Sequence, residues 1–129
     1  MMTLLALALA AGSTAPNDDL PFKLDGECFY PPRIADAAPD ATQVMCDTVT
    51  ADAASVDFEL REWDAHSRFF GSWEGDVFTI TAIQPRGGTR TRARGSCRLD
   101  RLDGRISMVS CTAVARGHGW LANFRNFAS

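Results

Sequence analysis

Five arginines in the second half of the chain have the spacing to act on a charged partner. In the run GTRTRARGSCR, which starts at Gly88, Arg90, Arg92, Arg94 and Arg98 occupy alternate positions of one parity. Side chains alternate between the faces of an extended strand, so these four share a face and neighbours two apart lie ~6.5 Å from one another. Arg116 joins them if the segment folds back on itself with Arg92 opposite Arg116. Guanidinium groups this close repel one another and favour either nearby carboxylates, such as Asp57, Glu59 or Glu62, or a bound anion. The predicted partner is therefore an acidic protein or an anionic envelope component. Nucleic acid does not fit: the net charge is −3 and no Phe or Tyr alternates with the arginines as a stacking platform.

A second group with chemical potential is Glu62, Asp64 and His66. On a continuous strand the three would share one face and could orient an imidazole or hold a metal. A polar turn accounts for the same residues more simply. Hydrolytic chemistry needs a nucleophile, a base and an orienting group within hydrogen-bond reach. Ser67 follows His66 directly, so in an extended chain the two point apart. Among the other acids Glu74 is a candidate partner, and His118 sits between glycines as a loop residue. No nucleophile-elbow or zinc-protease motif occurs. The sequence predicts no catalytic residue, metal or cofactor, and a small hydrolase around His66 is the weakest of three functional readings.

The four cysteines, Cys28, Cys46, Cys97 and Cys111, allow three pairings. No two are closer than 14 positions, which argues against a cysteine-based zinc site. Their order favours 28–46 with 97–111. Each bridge would close a loop of about 15–19 residues, for which the chain-entropy model gives roughly 3 kcal/mol. Disulfides persist in oxidising compartments. The N-terminus adds to this: MMTLLALALA is a short apolar run ending in a small-x-small pattern, shorter than the ~20 residues needed to span a bilayer. These features predict a signal peptide over residues 1–11, a flexible lead-in over 12–26, no transmembrane span, and a periplasmic or secreted protein.

A single domain over residues 27–129 must position these groups. Residues 55–60 alternate cleanly, with Val56, Phe58 and Leu60 on one face and Ser55, Asp57 and Glu59 on the other, the pattern of a half-buried antiparallel strand. Residues 64–67 read as a turn, and residues 68–73 as a strand broken or bulged at Gly71. Residues 77–84 have no strongly polar face and read as a central, covered strand. Asp103-Gly104 between extended runs is a hairpin signal. A three-residue loop, Asp103 to Arg105, puts Cys97 opposite Cys111 and Leu99 opposite Val109. After a tight turn at residues 117–119, the last strand carries Trp120, Ala122 and Phe124 on one face. Six or seven short strands with no long amphipathic helix predict an all-β antiparallel meander, a small barrel or sandwich.

The aromatic residues Trp63, Trp73, Trp120 and Phe124 are candidates to line an apolar ligand pocket, the second functional reading, although most such residues in a small β domain pack its core. Charge is unevenly divided. Residues 17–76 hold 14 acidic and 4 basic side chains, and residues 77–129 hold 2 acidic and 9 basic. Either the halves neutralise each other or the second half offers a basic face. The leading functional expectation is a non-enzymatic binding or inhibitor module that uses the arginine face.

Overall fold

A computed structural model describes residues 17–37 and 40–127. The predicted signal peptide and the first part of the lead-in lie outside the described residues. The elements in chain order are β1 (Phe22–Cys28), α1 (Pro32–Ala37), β2 (Thr42–Gln43), β3 (Thr48–Ala51), β4 (Ser55–Leu60), a 3-10 turn (Arg61–Trp63), β5 (Ala65–Glu74), β6 (Val77–Gln84), β7 (Thr91–Leu102), β8 (Arg105–Ala115) and β9 (His118–Asn126). From β3 onward each strand pairs antiparallel with the next in sequence, β1 pairs with β3, and β9 pairs back onto β1. Eight strands thus close into an all-β antiparallel barrel. Among the described residues no helix is long and apolar enough to cross a membrane.

Closure explains a core that lies on one face of every strand. An eight-stranded barrel has an interior just wide enough for side chains to fill. Here it holds Phe58, Phe69, Phe78 and Phe124, each 0 % exposed, with Val49, Val56, Ile83 and Val109 around them. Phe58 meets Phe69 edge-on, with ring centres 5.7 Å apart and planes at 89°. Trp73 lies 5.0 Å from Phe78 and donates its indole N–H to the Asp52 carbonyl at 2.9 Å. Both predicted disulfides are present, Cys28–Cys46 and Cys97–Cys111, the second fully inside the barrel.

The seam between β1 and β9 is short, running from Phe124↔Cys28 to Asn126↔Gly26. Beyond it the two-residue β2 continues along the same edge of β9, parallel, with Trp120↔Thr42 and Leu121↔Gln43. Tyr30 ties the two stretches together. Its hydroxyl lies 2.6 Å from the Val44 carbonyl oxygen and 2.9 Å from that of Leu121, and it accepts the Asn123 N–H at 3.3 Å. Burial pushes the phenol up to about 12, against the pull of its backbone hydrogen bonds. A Tyr30→Phe variant keeps the ring and removes these bonds. We expect it to lose about 1–2 kcal/mol in urea unfolding, and an unchanged midpoint would show the seam to be held by other contacts.

Several local expectations are corrected. Among the described residues the strands number nine; β1 begins at Phe22, within the predicted lead-in, and β2 is only two residues long. Leu20, Phe22 and Leu24 pack on the core while Lys23 and Asp25 face out, a strand pattern hidden by polar neighbours. Asn17 is also held, donating to the Asp76 carboxylate at 2.7 Å, and Arg101 bridges Asp76 to Asp19. The turn after β4 is made by residues 61–64, with Asp64 left-handed at φ 48°, so His66 and Ser67 stand within β5. A register shift does fall between Phe70 and Gly71, but the extra residue is Thr81, so the bulge is in β6 rather than in the strand that carries Gly71.

On β6, Thr79 and Thr81 are exposed and Val77 is 45 % exposed, so that strand is covered on one face only. The β7–β8 hairpin reaches the predicted Cys97↔Cys111 register by another route. Asp103 and Gly104, at φ 54° and 81°, form a two-residue turn of the primed type that suits the right-handed twist. A register shift between Asp100 and Arg101 then restores the offset, leaving Ser107 unpaired in the ladder and its hydroxyl donating to the Asp100 carbonyl at 3.1 Å. The last hairpin likewise turns at Arg116 and Gly117, φ 52° and 77°, rather than at residues 117–119, and His118 opens β9.

Candidate functional site

The arginine face is positioned by the start of β7. Along it Ala93, Cys97 and Leu99 are buried while Arg92, Arg94 and Arg98 are exposed, the alternation expected from the sequence. Arg90, just before the strand, is exposed as well, and its guanidinium carbon lies 3.8 Å from the centre of the Phe70 ring. Such a contact holds the cation over the ring's negative face. The β7–β8 ladder ends at Arg94↔Val114, whereas β7 continues to pair with β6 as far as Ile83↔Thr91. The two strands therefore part company above Val114. The resulting recess of ≈ 740 Å³ is lined by residues 89–94 of β7 and its approach and by residues 114–117 around the β8–β9 turn. Arg90, Arg92, Arg94 and Arg116 all border it, and among the described residues no acidic one does. Arg98 stands apart, in a smaller hollow with Val77, Ser110 and Thr112.

Two of the three carboxylates that might have neutralised these arginines, Asp57 and Glu59, are engaged elsewhere. Asp57 accepts from the Arg68 guanidinium at 3.2 Å and lies 2.9 Å from His66 Nδ1, and Glu59 lies 3.6 Å from His66 Nε2. Of the nine arginines after Asp76, Arg101 and Arg125 form ion pairs with the acidic half, through Asp19, Asp76 and Glu27. Among the described residues, Arg92, Arg94, Arg98 and Arg116 have no carboxylate within 4.0 Å. The two halves of the chain thus neutralise one another only in part. What remains is a cluster of like charges on one side of the barrel.

A second group forms around His66; sequence spacing identified Asp64 beside it but not Asp57 or Glu59. Strand pairing sets Glu59 opposite His66 and Asp57 opposite Arg68. The imidazole is flanked by Asp57 at Nδ1 and by Asp64 at Nε2, at 2.9 and 3.3 Å. Glu62 stays exposed on the 3-10 turn, outside this group. Oxygen or nitrogen atoms of Glu59, Asp64 and His66 all lie within 4.8 Å of one another, a spacing that a divalent cation could bridge. In the structure Nε2 meets the Asp64 carboxylate at 3.3 Å and that of Glu59 at 3.6 Å, while Nδ1 meets Asp57 at 2.9 Å. Ser67 is buried on the opposite face of β5, so it is no nucleophile for His66. His118 makes a separate contact, 2.7 Å from the Thr42 hydroxyl, with its ring edge-on to Trp120.

The hydrogen bond to Asp57 raises the His66 pKa above its ordinary value, reinforced by Asp64 and the charge of Glu59 and opposed by partial burial. With the folded-state value above the unfolded one, the group stabilises the fold fully below about pH 6.5. That contribution is lost as pH rises through the folded value. Titration of the His66 ring by NMR should show a midpoint above 6.5, and Asp57→Asn should bring it down. A wild-type midpoint at or below 6.5 would contradict this geometry.

The four candidate pocket aromatics do not gather around one cavity. Trp63 is 66 % exposed and lies under Arg86. Trp73 and Phe124 are core residues, and Trp120 packs against the core from the upper end of β9. The arginine face was legible from alternation. The His66 group needed cross-strand partners ten or fewer positions away, which the predicted turn at residues 64–67 concealed. Comparison with protein-family models, curated proteins and solved structures finds no match to this chain, so the site is read from its own residues.

Proposed function

We propose that this protein is an exported, non-enzymatic binding or inhibitor module that recognises an anionic partner through the recess at Arg90, Arg92, Arg94 and Arg116. One observation carries the reading: like charges converge on a single recess with no carboxylate of the described residues beside them, in a chain whose net charge is −3. Concentrating unpaired cations on one side of an acidic protein raises the local potential and steers an anion to that side. A periplasmic or secreted location fits the two disulfides. The filled aromatic interior weighs against apolar-ligand carriage, and the burial of Ser67 on the face of β5 opposite His66 weighs against hydrolysis.

Retention on an immobilised polyanion, sulfated dextran, tests the reading. The protein is expected to bind and to elute with rising salt, because screening weakens exposed charge pairs. An Arg92→Ser/Arg94→Ser variant is expected to elute at clearly lower salt than the charge-matched Arg33→Ser/Arg105→Ser variant, whose changes lie outside the recess. Equal retention of the two would remove the recess as the binding site.

A further inference from the structure

We infer that the recess takes an extended acidic segment of a partner protein, added as a strand to the open edge of β7. This rests on the anion-binding reading above and names the partner's chemistry. The register supplies the first argument. Cys97 and Cys111 are directly paired with their Cα atoms 3.9 Å apart, the spacing of a narrow pair that exchanges no ladder bonds. On its other side β7 bonds toward β6 through odd positions, as Leu99 N–H does to the Asp76 carbonyl at 3.0 Å. The outward-facing, even positions of β7 therefore direct their backbone groups toward β8, and the strand keeps this alternation past the register shift opposite Ile80 and Ala82, since Ala93 is buried while Arg92 and Arg94 are exposed. Arg94 is the last of these with a partner, Val114, so the N–H and C=O of Arg92 face the recess instead of a strand.

An exposed strand edge recruits another strand through main-chain hydrogen bonds, with side chains at alternate positions deciding which strand is accepted. Here Arg90, Arg92 and Arg94 point outward, and the small inward side chains are Thr91 and Ala93, with Ala115 across the recess. An incoming strand with a carboxylate at every second position would set those groups beside the guanidiniums, at cross-strand neighbour distance of ~5 Å. Its intervening small side chains would lie over Ala93 and Ala115. Two copies of this chain meeting edge to edge through β7 are excluded by the same charges, because two arginine edges repel. The edge thus discriminates by sign as well as by hydrogen bonding.

The test uses the intact oxidised protein and three probes. These are a blocked Glu-Val-Glu-Val-Glu peptide, the same peptide fully N-methylated, and an oligogalacturonate of equal charge. Amide hydrogen exchange and guanidinium chemical shifts are followed by NMR. The expected result is at least tenfold slower exchange of the Arg92 amide with the first peptide, and at least tenfold weaker binding of the N-methylated one. If all three anions bind alike, with guanidinium shifts and no slowing at Arg92, strand addition is overturned while anion recognition stands. If none of them perturbs the recess, both are overturned.

Discussion

A Gly26→Val protein is expected to lose at least about 3 kcal/mol of stability and to unfold at a much lower urea concentration than the wild type. A Cβ placed on Gly26 would sit 2.0 Å from the Arg125 carbonyl oxygen and 2.7 Å from the Phe124 ring. The first of these atoms is backbone on the partner strand, so the clash cannot be relieved by a side-chain rotation. The strands would have to separate. They do so at the weakest line of the barrel, since β1 and β9 share only a few paired residues, with the Arg125–Glu27 ion pair across them. Overpacking a tight site usually destabilises by about 1–3 kcal/mol, and here loss of ladder pairs adds to it. The Cys28–Cys46 bridge still tethers β1 to the segment before β3, so the chain keeps a local loop while the barrel opens. Equilibrium urea unfolding with the disulfides intact measures this. A midpoint within experimental error of the wild type would mean that β1 does not seal the barrel.

The second large effect is expected from Phe58→Ala, at about 3–5 kcal/mol. Phe58 is 0 % exposed, and its edge-on contact with Phe69 joins β4 to β5 inside the barrel. Removing the ring leaves a cavity bounded by strands already fixed by closure, which limits how far the walls can collapse. The loss is a large share of the roughly 5–15 kcal/mol that holds a domain together. Thermal unfolding should fall by on the order of 10 °C or more. Because the arginines lie on the outer face, polyanion retention of the folded variant should match the wild type. A loss below about 1 kcal/mol would show that the interior is not packed as described, and would return apolar-ligand carriage to consideration.

These two positions also mark the limits of what the linear sequence reveals. Phe58 is legible as core because Val56, Phe58 and Leu60 alternate with polar residues, and period two is a local property of the backbone. The arginine face follows from the same rule. The disulfide pairing is nearly as local, since one bridge spans a hairpin whose turn is written in Asp103-Gly104 and the other pair is what remains. Gly26 is opaque by contrast: a glycine in a polar stretch gives no sign that a strand 100 positions later will press on it. Turn boundaries were misplaced for a related reason. Residues 64–67 are polar and turn-like in composition, yet the turn falls at residues 61–64 because pairing with β4 draws His66 and Ser67 into β5.

By itself the sequence determined the all-β antiparallel class, the inward and outward faces of the longer strands, the disulfide partners and the alignment of Arg90, Arg92 and Arg94. All of these rest on alternation or on turns, interactions between residues near one another along the chain. Tertiary structure alone decided that the sheet closes, that the lead-in supplies the closing strand, and that Asp57 and Glu59 are drawn to His66 and Arg68 rather than to the arginine face. It also decided that β7 outlasts β8, which opens the recess beside Arg92. Each of these depends on where separate strands meet. That is set by the summed packing of the barrel interior and not by the residues at the meeting point.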